Sequence, residues 1–498
     1  MSVRVANAEE SGALDAAGIA SGIPSRALMR AAAFNAASVL CFRYPEALRR
    51  GVTIFAGPGN NGGDGWALAG ALHAVGVEVT VREVASAKTA DAIAERDVIR
   101  PNLPGASVTP CGLVVDAMLG TGSTGAPRPP VSAAVAEVAA ARLAGSIVVA
   151  LDLPSGVDAN TGAAAGSVTA DFTIGFGTCK RGALISRAEC GEIVIIDIGL
   201  GATADALPIL VDGNFVRANT PDIAPDAHKG TRKSVAIVAG AGHMAGSAIL
   251  AATGALRSGA GLVKVITASQ NIASVHSCLP EALAAPLEDT IAAVTDWADV
   301  VLIGPGLGRD EQITWFIHET LRSWRGPVVL DADALNAFDG QLDELAGMLR
   351  DRAAIITPHP GEMARLTGHD VGYVLKHRFD IGLEVSRRIG ATVLLKGTPT
   401  VVTSPGGERH VIASGTPLLA TGGSGDALGG MIATLFAQGC APDIAASCAA
   451  WVHGRAAELT PGIRGYRLMD VLDRLPQAWS LDAAVPRYPI LASLATLA

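Results

Sequence analysis

Short runs of aliphatic and β-branched residues alternate with Ala-rich stretches of helical length along almost the whole chain. In the first half the runs are VTIFAG (52–57), VEVTVRE (77–83), LVVDAM (113–118), SIVVALDL (146–153) and DFTIGF (171–176). In the second half they are SVAIVAG (234–240), LVKVIT (262–267), VVLIG (300–304), PVVLDA (327–332), AAIITP (353–358) and TVLLKG (392–397). Continuous apolar strands with helices between them predict parallel sheets covered on both faces, an α/β fold. Near the N-terminus, GIPSRALMRAAAFNAASVL (22–40) predicts a helix opened by Pro and Ser. The stretch 200–232 has no sustained period and is rich in Pro, Asp and Thr, and a strand-like start at Ser234 follows it. Two domains are expected, 1–212 and 213–498, sharing a style but no repeated motif.

Composition supports this reading. At 498 residues the chain exceeds the usual size of one domain. Hydrophobic residues make up 49% and aromatic ones 4%, so the cores are built of small side chains that let helices pack closely on sheets. Most clusters among the 58 Gly follow apolar runs, as tight strand-to-helix turns require. The net charge of −9, without a block of Lys or Arg, excludes the usual nucleic-acid footprint. Seven scattered Cys with no CxxC pair fit reduced thiols, and a cytoplasmic location is expected. MSVRVANAEE has no apolar core of a signal peptide, and every long apolar run is broken before bilayer length, so no membrane segment is expected.

The chemistry concentrates at strand ends. VTIFAGPGNNGGDGWALAGAL (52–72) reads as strand, polar Gly loop and helix, which offers an anion free N–H groups at a helix N-terminus. Asn60, Asn61 and Asp64 make the loop more polar than a plain dinucleotide fingerprint or a simple Gly turn requires. Asp116 ends a second strand before the Gly-rich LGTGSTGAPR, and LDLPSGVDANTG brings Asp152, Ser155 and Asp158 to a third. Ligands bind beyond the carboxyl ends of parallel strands, so the three loops predict one pocket. Asn61, Asp116 and Ser155 offer a hard cation an oxygen cage. Each Asp taken alone is equally a helix cap.

GPGNNGGDG, DAMLGTG and LDLPSGVDANTG together resemble the three signatures of the NAD(P)H-hydrate epimerase family, over nearly all of residues 1–212. The resemblance implies a Rossmann-like, three-layer αβα domain. It implies that Asn60, Asn61, Gly62, Gly63 and Asp64 hold the hydrated nucleotide. Gly120, Thr121, Gly122, Ser123, Thr124, Gly125, Ala126 and Asp152 would do the same, and Asn61, Asp116 and Ser155 would hold a potassium ion. LMRAAAFNAA departs from the family's more usual Ala-Gly pair in the first helix. Epimerisation needs acid–base help because a hydroxyl must leave and return. Asp152 is the first candidate for it. Lys180 is the second, with a surface or phosphate-contact role as its plainer reading.

In the second half, ATGGSGDALGGMIATLFAQG (420–439) opens an apolar helix with a Gly-rich turn and sets Asp426 in its first turn. Such a turn is an anion hole for developing phosphate charge, and Asp426 is placed to deprotonate an attacking hydroxyl or, more plainly, to cap the helix. LLKGTPTVVTSPGG (394–407) adds Lys396, Gly397, Thr398, Pro399 and Thr400 after a strand, a second phosphate or ribose contact. This pair resembles the ribokinase-like superfamily. With MAGSAILAATGALRSGAGLVKV (244–265), GPGLG (304–308), VVLDADALN (328–336) and TPHPGEMARLTG (357–368), it resembles the ADP-dependent NAD(P)H-hydrate dehydratase family over most of residues 228–470. That resemblance implies a ribokinase-like α/β domain in which Ala248, Gly306, His359 and Asp426 contact the hydrate. Lys396–Thr400 and Gly425 would bind the adenine nucleotide, with Mg2+ neutralising its phosphates. His359, between two prolines, reads otherwise as a buried turn residue.

The expected function is repair of hydrated NAD(P)H by a fused epimerase and dehydratase, with NADHX, NADPHX and ADP as small-molecule partners and a homo-oligomeric state. Phosphorylating the ring hydroxyl makes it a leaving group, and ADP leaves as AMP. A ribokinase-like small-molecule kinase fused to a nucleotide-binding regulatory domain is the alternative. A first domain that only binds is a third reading, against which Asn61, Asp116, Asp152 and Ser155 argue.

Overall fold

The computed structural model describes residues 2–103, 111–200, 205–295, 297–481 and 487–496. The chain divides into two compact units, Met1–Leu210 with Ala484–Leu497, and Val211–Ala483. Residues 201–204 of the expected boundary stretch lie outside the described residues.

The first unit contains strands β1 (Arg4–Ala6), β2 (Val52–Ala56), β3 (Val79–Glu83), β4 (Leu113–Ala117), β5 (Ile147–Leu151), β6 (Phe172–Phe176), β7 (Thr178–Lys180), β8 (Glu192–Ile196) and β9 (Ile209–Leu210). Its main sheet runs β8-β6-β5-β4-β2-β3, all parallel. The strand Ile490–Leu494 adds to the β8 edge antiparallel. The sequence reading kept that segment with the second domain. Side chains alternate across the sheet. Ile54, Val115 and Val149 pack on α2 (Ser25–Arg43) and α3 (Asn60–Ala74), while Phe55, Val114 and Val148 pack on α5 (Val131–Leu143). This is the three-layer αβα arrangement, with α4 (Ala90–Ile99) between β3 and β4. The helix α1 (Ala8–Ala20) precedes it, started by a capping box in which Asn7 accepts from Glu10 N and Glu10 accepts from Asn7 N. Strand β1 pairs parallel with β7 and antiparallel with β9.

The second unit contains β10 (Ser234–Val238), β11 (Leu262–Thr267), β12 (Leu283–Pro286), β13 (Val300–Ile303), β14 (Val328–Leu330), β15 (Ala354–Ile356), β16 (Thr392–Leu395), β17 (Thr400–Thr403) and β18 (Arg409–Ile412). The order is β12-β11-β10-β13-β14-β15-β16-β17-β18. Strands β10 to β16 are parallel, as expected, but β16-β17-β18 is antiparallel. The connections there span only a few residues, too short for a crossover to a parallel strand. One face packs on α6 (Ala245–Arg257), α9 (Ser424–Ala437) and α10 (Pro442–Glu458), the other on α7 (Glu311–Ser323) and α8 (Pro360–Thr367). This unit too is three-layered.

In each unit the strand order reverses once, between β2 and β4 and between β10 and β13. Loops leave the carboxyl ends of those neighbours in opposite directions and open a crevice there. Among the described residues no helix is long and apolar enough to cross a membrane.

Candidate functional site

GPGNNGGDG is shorter as a loop than its sequence suggests, because α3 already begins at Asn60. Its N-cap, Gly59, brings no side-chain cap, so first-turn N–H groups are left for a ligand. The glycines allow close packing. A Cβ on Gly57 would sit 1.7 Å from Met118 O, one on Gly62 2.0 Å from Gly57 O, and one on Gly63 2.7 Å from Met29 Cε. Gly63 N–H is already bonded to Gly59 O at 3.1 Å. Gly62 and Gly63 therefore shape the turn, while Asn60, Asn61 and Asp64 face a cleft of about 600 Å³.

The cleft is also lined by Gly120, Thr121, Gly122 and Ser123 after β4, by Asp152 after β5, and by Lys180. Thr124, Gly125 and Ala126 lie on the exposed far part of their loop, away from the lining. Asn61, Asp116 and Ser155 meet around Leu119. Asn61 Nδ2 donates to Leu119 O at 2.8 Å, and Leu119 N donates to Ser155 Oγ at 2.8 Å. Asp116 is fully buried and accepts from Ser155 Oγ (2.6 Å), Ser155 N (2.7 Å) and Met118 N (3.1 Å). Burial pushes its carboxyl up to about 6 against the pull of those bonds. Among the described residues Asn61 Oδ1 is buried without a hydrogen-bond partner. An orphaned amide oxygen beside a buried carboxylate and hydroxyl is a donor set that suits a hard monovalent cation, so the three residues fit potassium.

Asp152 has φ 63°, a left-handed conformation unusual for a side chain with a Cβ, held by its N–H donating to Ile174 O at 2.7 Å. Its Oδ1 lies 2.6 Å from Lys180 Nζ. Lys180 is only 3% exposed and also donates to Phe176 O and Thr178 O, so it is an interior partner of Asp152 and not a surface residue. Asp158 accepts from Asn160 N, Thr161 N and Thr161 Oγ1 and fixes its own turn. Asp15, on α1, lines the same cleft and was not foreseen; burial pushes its carboxyl up, and Lys180 opposes. No motif surrounds it, so only the fold reveals it.

In the second unit the carboxyl ends of β13 to β16 converge on the start of α9. Its N-cap, Gly423, has φ 86° and no side-chain cap, and Asp426 lies in the first turn. Burial pushes Asp426 up to about 6, opposed by a hydrogen bond with Ser247. Gly306, φ 60°, is wedged against Ser247, whose Oγ would lie 2.9 Å from a Cβ there. Lys396 Nζ is 2.6 Å from Asp331 Oδ1, and a Cβ on Gly425 would lie 2.9 Å from that same Nζ. Burial disfavours the Lys396 charge, but Asp331 and Glu362 outweigh it and raise the ammonium above its usual range. Pro399 and Thr398 line a smaller recess with Lys396 and Gly397, about 240 Å³. Ala248 is fully enclosed, its Cβ packed beneath Gly240, so its side chain is not presented to a ligand.

His359 is neither a simple turn residue nor an isolated contact. It caps α8, with Nδ1 accepting from Gly361 N (2.9 Å) and Glu362 N (3.2 Å), and Glu362 accepts from His359 N at 2.8 Å. Burial and then Lys396 push its pKa down, so the ring is neutral with its proton on Nε2. Burial raises Glu362 to about 7. Asp331, 1% exposed, was quoted within VVLDADALN but not singled out; a carboxylate directly after a β run is the same signal that marked Asp116. Among the described residues its Oδ2 is buried without a hydrogen-bond partner.

Residues 25–182 match the family model described as YjeF-related protein N-terminus, and residues 235–476 match that of NAD(P)H-hydrate dehydratase. The chain is 34% identical to the bifunctional NAD(P)H-hydrate repair enzyme Nnr of Escherichia coli (strain K12) over 91% of its length and 89% of that protein's. It is 34% identical to the enzyme of the same name from Moorella thermoacetica, over 91% and 92%. Among solved structures, an ADP/ATP-dependent NAD(P)H-hydrate dehydratase from Bacillus subtilis, co-crystallized with ATP/Mg2+, is 31% identical with a TM-score of 0.49, covering 55% of this chain and 98% of that one.

Proposed function

The chain belongs to the family of bifunctional NAD(P)H-hydrate repair enzymes, and on that premise we propose how its two sites share the reaction. The first unit interconverts the R and S epimers of NADHX and NADPHX. The second dehydrates the S epimer to NAD(P)H while ADP becomes AMP and phosphate.

The observation that carries the second half is Asp426, a half-buried carboxylate in the first turn of a helix without a side-chain N-cap, beside Lys396. Asp426 takes the proton of the ring hydroxyl as its oxygen attacks the β-phosphorus of ADP, and AMP leaves. The helix N-terminus around Gly425 and the Lys396 ammonium stabilise the transferring phosphoryl group, the kind of contact worth about 10²–10³ in rate per donor. The ring nitrogen's lone pair then expels phosphate from C6, and loss of a C5 proton restores the double bond of NAD(P)H. Gly306, His359 and Asp426 face the hydrate, with Ala248 contributing main chain. Lys396–Thr400 and Gly425 hold the nucleotide. Mg2+ would neutralise the phosphates, and the unpartnered Asp331 Oδ2 is the buried oxygen that suits it.

In the first unit Asn60, Asn61, Asp64, the loop from Gly120 to Ser123 and Asp152 hold the hydrate, with the Gly62 and Gly63 turn shaping the site. Asn61, Asp116 and Ser155 would hold potassium, which would supply a fixed positive charge beside the nucleotide. Seven free cysteines support a reducing, cytoplasmic setting. Phe34 and Phe42, exposed on α2, support a homo-oligomer.

The test is incubation of the full chain with mixed hydrate epimers. Full conversion to NADH with ADP, and epimer exchange without it, are expected. No consumption of either epimer, with or without ADP, refutes the reading.

A further inference from the structure

The epimerase cleft holds two carboxyl groups in unlike surroundings. Asp152 faces the Lys180 ammonium at 2.6 Å. Asp64, on the first turns of α3, lines the same cleft and among the described residues has neither a hydrogen-bond nor an ion-pair partner. Burial without a cation beside it favours a carboxyl's protonated form. From this geometry we propose that Asp64 and Asp152 are an acid–base pair for epimerisation, with Asp64 as the proton donor and Asp152, paired with Lys180, as the acceptor.

The proposal rests on the epimerase reading of this unit. Asp64 gives its proton to the C6 hydroxyl, the C6–O bond breaks, and the ring nitrogen's lone pair forms the C6=N1 bond as water departs. Water returns to C6 on the other face, the C6=N1 pair goes back to nitrogen, and Asp152 takes the proton that water releases. A proton passes from Asp152 back to Asp64, so the cycle consumes nothing. In the reverse direction the two residues exchange roles.

The surroundings agree. Burial first, and then the charges of Asp152 and Asp15, push Asp64 well above the usual carboxylate range, with Lys180 opposing. The groups facing it are Asp15 from α1, Asp152 after β5 and Lys180 at the end of β7, with Asp91 of α4 on the same cleft. The α2 residues that line the cleft carry no titratable group.

The experiment measures epimer exchange by the full chain without ADP across pH 5 to 9, corrected for the spontaneous rate, for wild type, Asp64→Asn and Asp64→Glu. Consumption of the S epimer with ADP by the second unit serves as an internal reference. Wild-type exchange falls as pH rises through the Asp64 titration, because the donor form is lost. Asp64→Asn lowers exchange about 10²-fold or more and removes that limb, while ADP-driven consumption is unchanged. Asp64→Glu restores part of the rate together with a pH limb. Exchange within threefold of wild type in Asp64→Asn overturns the proposal. So does a wild-type profile with no decline towards high pH, whatever the variants do. Wild type that exchanges no epimers at all sinks the epimerase reading itself.

Discussion

Asp426 combines a functional demand with a cost to stability. Its pKa of about 6 against an ordinary 3.8 means that the folded state favours the protonated form. The stability linked to it is fully present below about 3.8 and is lost as pH rises through about 6. At pH 7.5 the ionised carboxylate costs about 3 kcal/mol. Asp426→Asn should therefore raise the melting temperature of the second unit at pH 7.5, with the gain vanishing near pH 4. It should lower ADP-dependent dehydration by about 10²–10⁴. In the wild type, dehydration should fall about tenfold per pH unit below about 6, as the base is protonated. Thermal unfolding at two pH values and a pH–rate profile check both. A melting temperature that drops at pH 7.5 would instead make Asp426 a structural cap. Asp426, Asp116 and Asp152 were legible because each ends an apolar strand run or opens a helix next to glycines. Asp15 was not, since it sits in an ordinary helical pattern and reaches the cleft only through the fold. The capping role of His359 was hidden because caps are expected from Ser, Thr, Asp or Asn, and only the neutral Nδ1 lone pair lets a histidine act as one.

Element packing explains how Asp426 is held. Helices α6 and α9 cross through reciprocal glycines. A Cβ on Gly254 would lie 2.1 Å from Ala427 O, and one on Gly430 1.9 Å from Ala251 O. Both obstacles are backbone, so neither helix can yield by a rotamer change. Thr434 Oγ1 also donates to Ala255 O at 3.2 Å, tying α9 to α6. Ser247 is on α6 and Asp426 on α9, so the spacing of the helices sets the contact between them. Gly254→Ala should push the helices apart, lower stability by about 1–3 kcal/mol and reduce dehydration, while epimer exchange is unchanged. Denaturant unfolding and the two assays check this; a variant as stable and active as wild type would disprove the close-packing account. The glycines of α6 and α9 were visible in the sequence, but a helical Gly does not say which backbone it faces. The strands divide similarly. The runs at β2 to β6, β10, β11 and β13 to β16 were legible from continuous apolar character. Glu192–Ile196 carries the same signal and was passed over, whereas β1 and β9, three and two residues long, are too short to show a period.

Across the whole molecule, the first unit is discontinuous in sequence: it holds Met1–Leu210 and takes back Ala484–Leu497 after the second unit is complete. The boundary near residue 212 had a compositional cue, but the return has none. Five residues of strand carry no periodicity that distinguishes an edge strand of one sheet from a tail of the other. The structural ties are explicit. Ile490 pairs with Ile196, Ser493 with Val194 and Leu494 with Ile193, Asp197 N donates to Pro489 O at 2.9 Å, and Arg187 donates to Ala495 O. Ala492 is 3% exposed and Ile490 packs on the same core as Leu68 and Ile54. Deleting residues 482–498 removes several ladder bonds, each worth about 0.5–1.5 kcal/mol net, and leaves β8 as an open sheet edge. The deletion should therefore lower the temperature at which epimer exchange is lost, by about 5 °C or more, and promote concentration-dependent association. ADP-dependent dehydration of the S epimer should survive to the same temperature as in the full chain. Heat-inactivation curves for both activities on the same samples decide it: if dehydration were the more heat-sensitive in the truncated chain, the C-terminal strand would belong to the stability of the second unit.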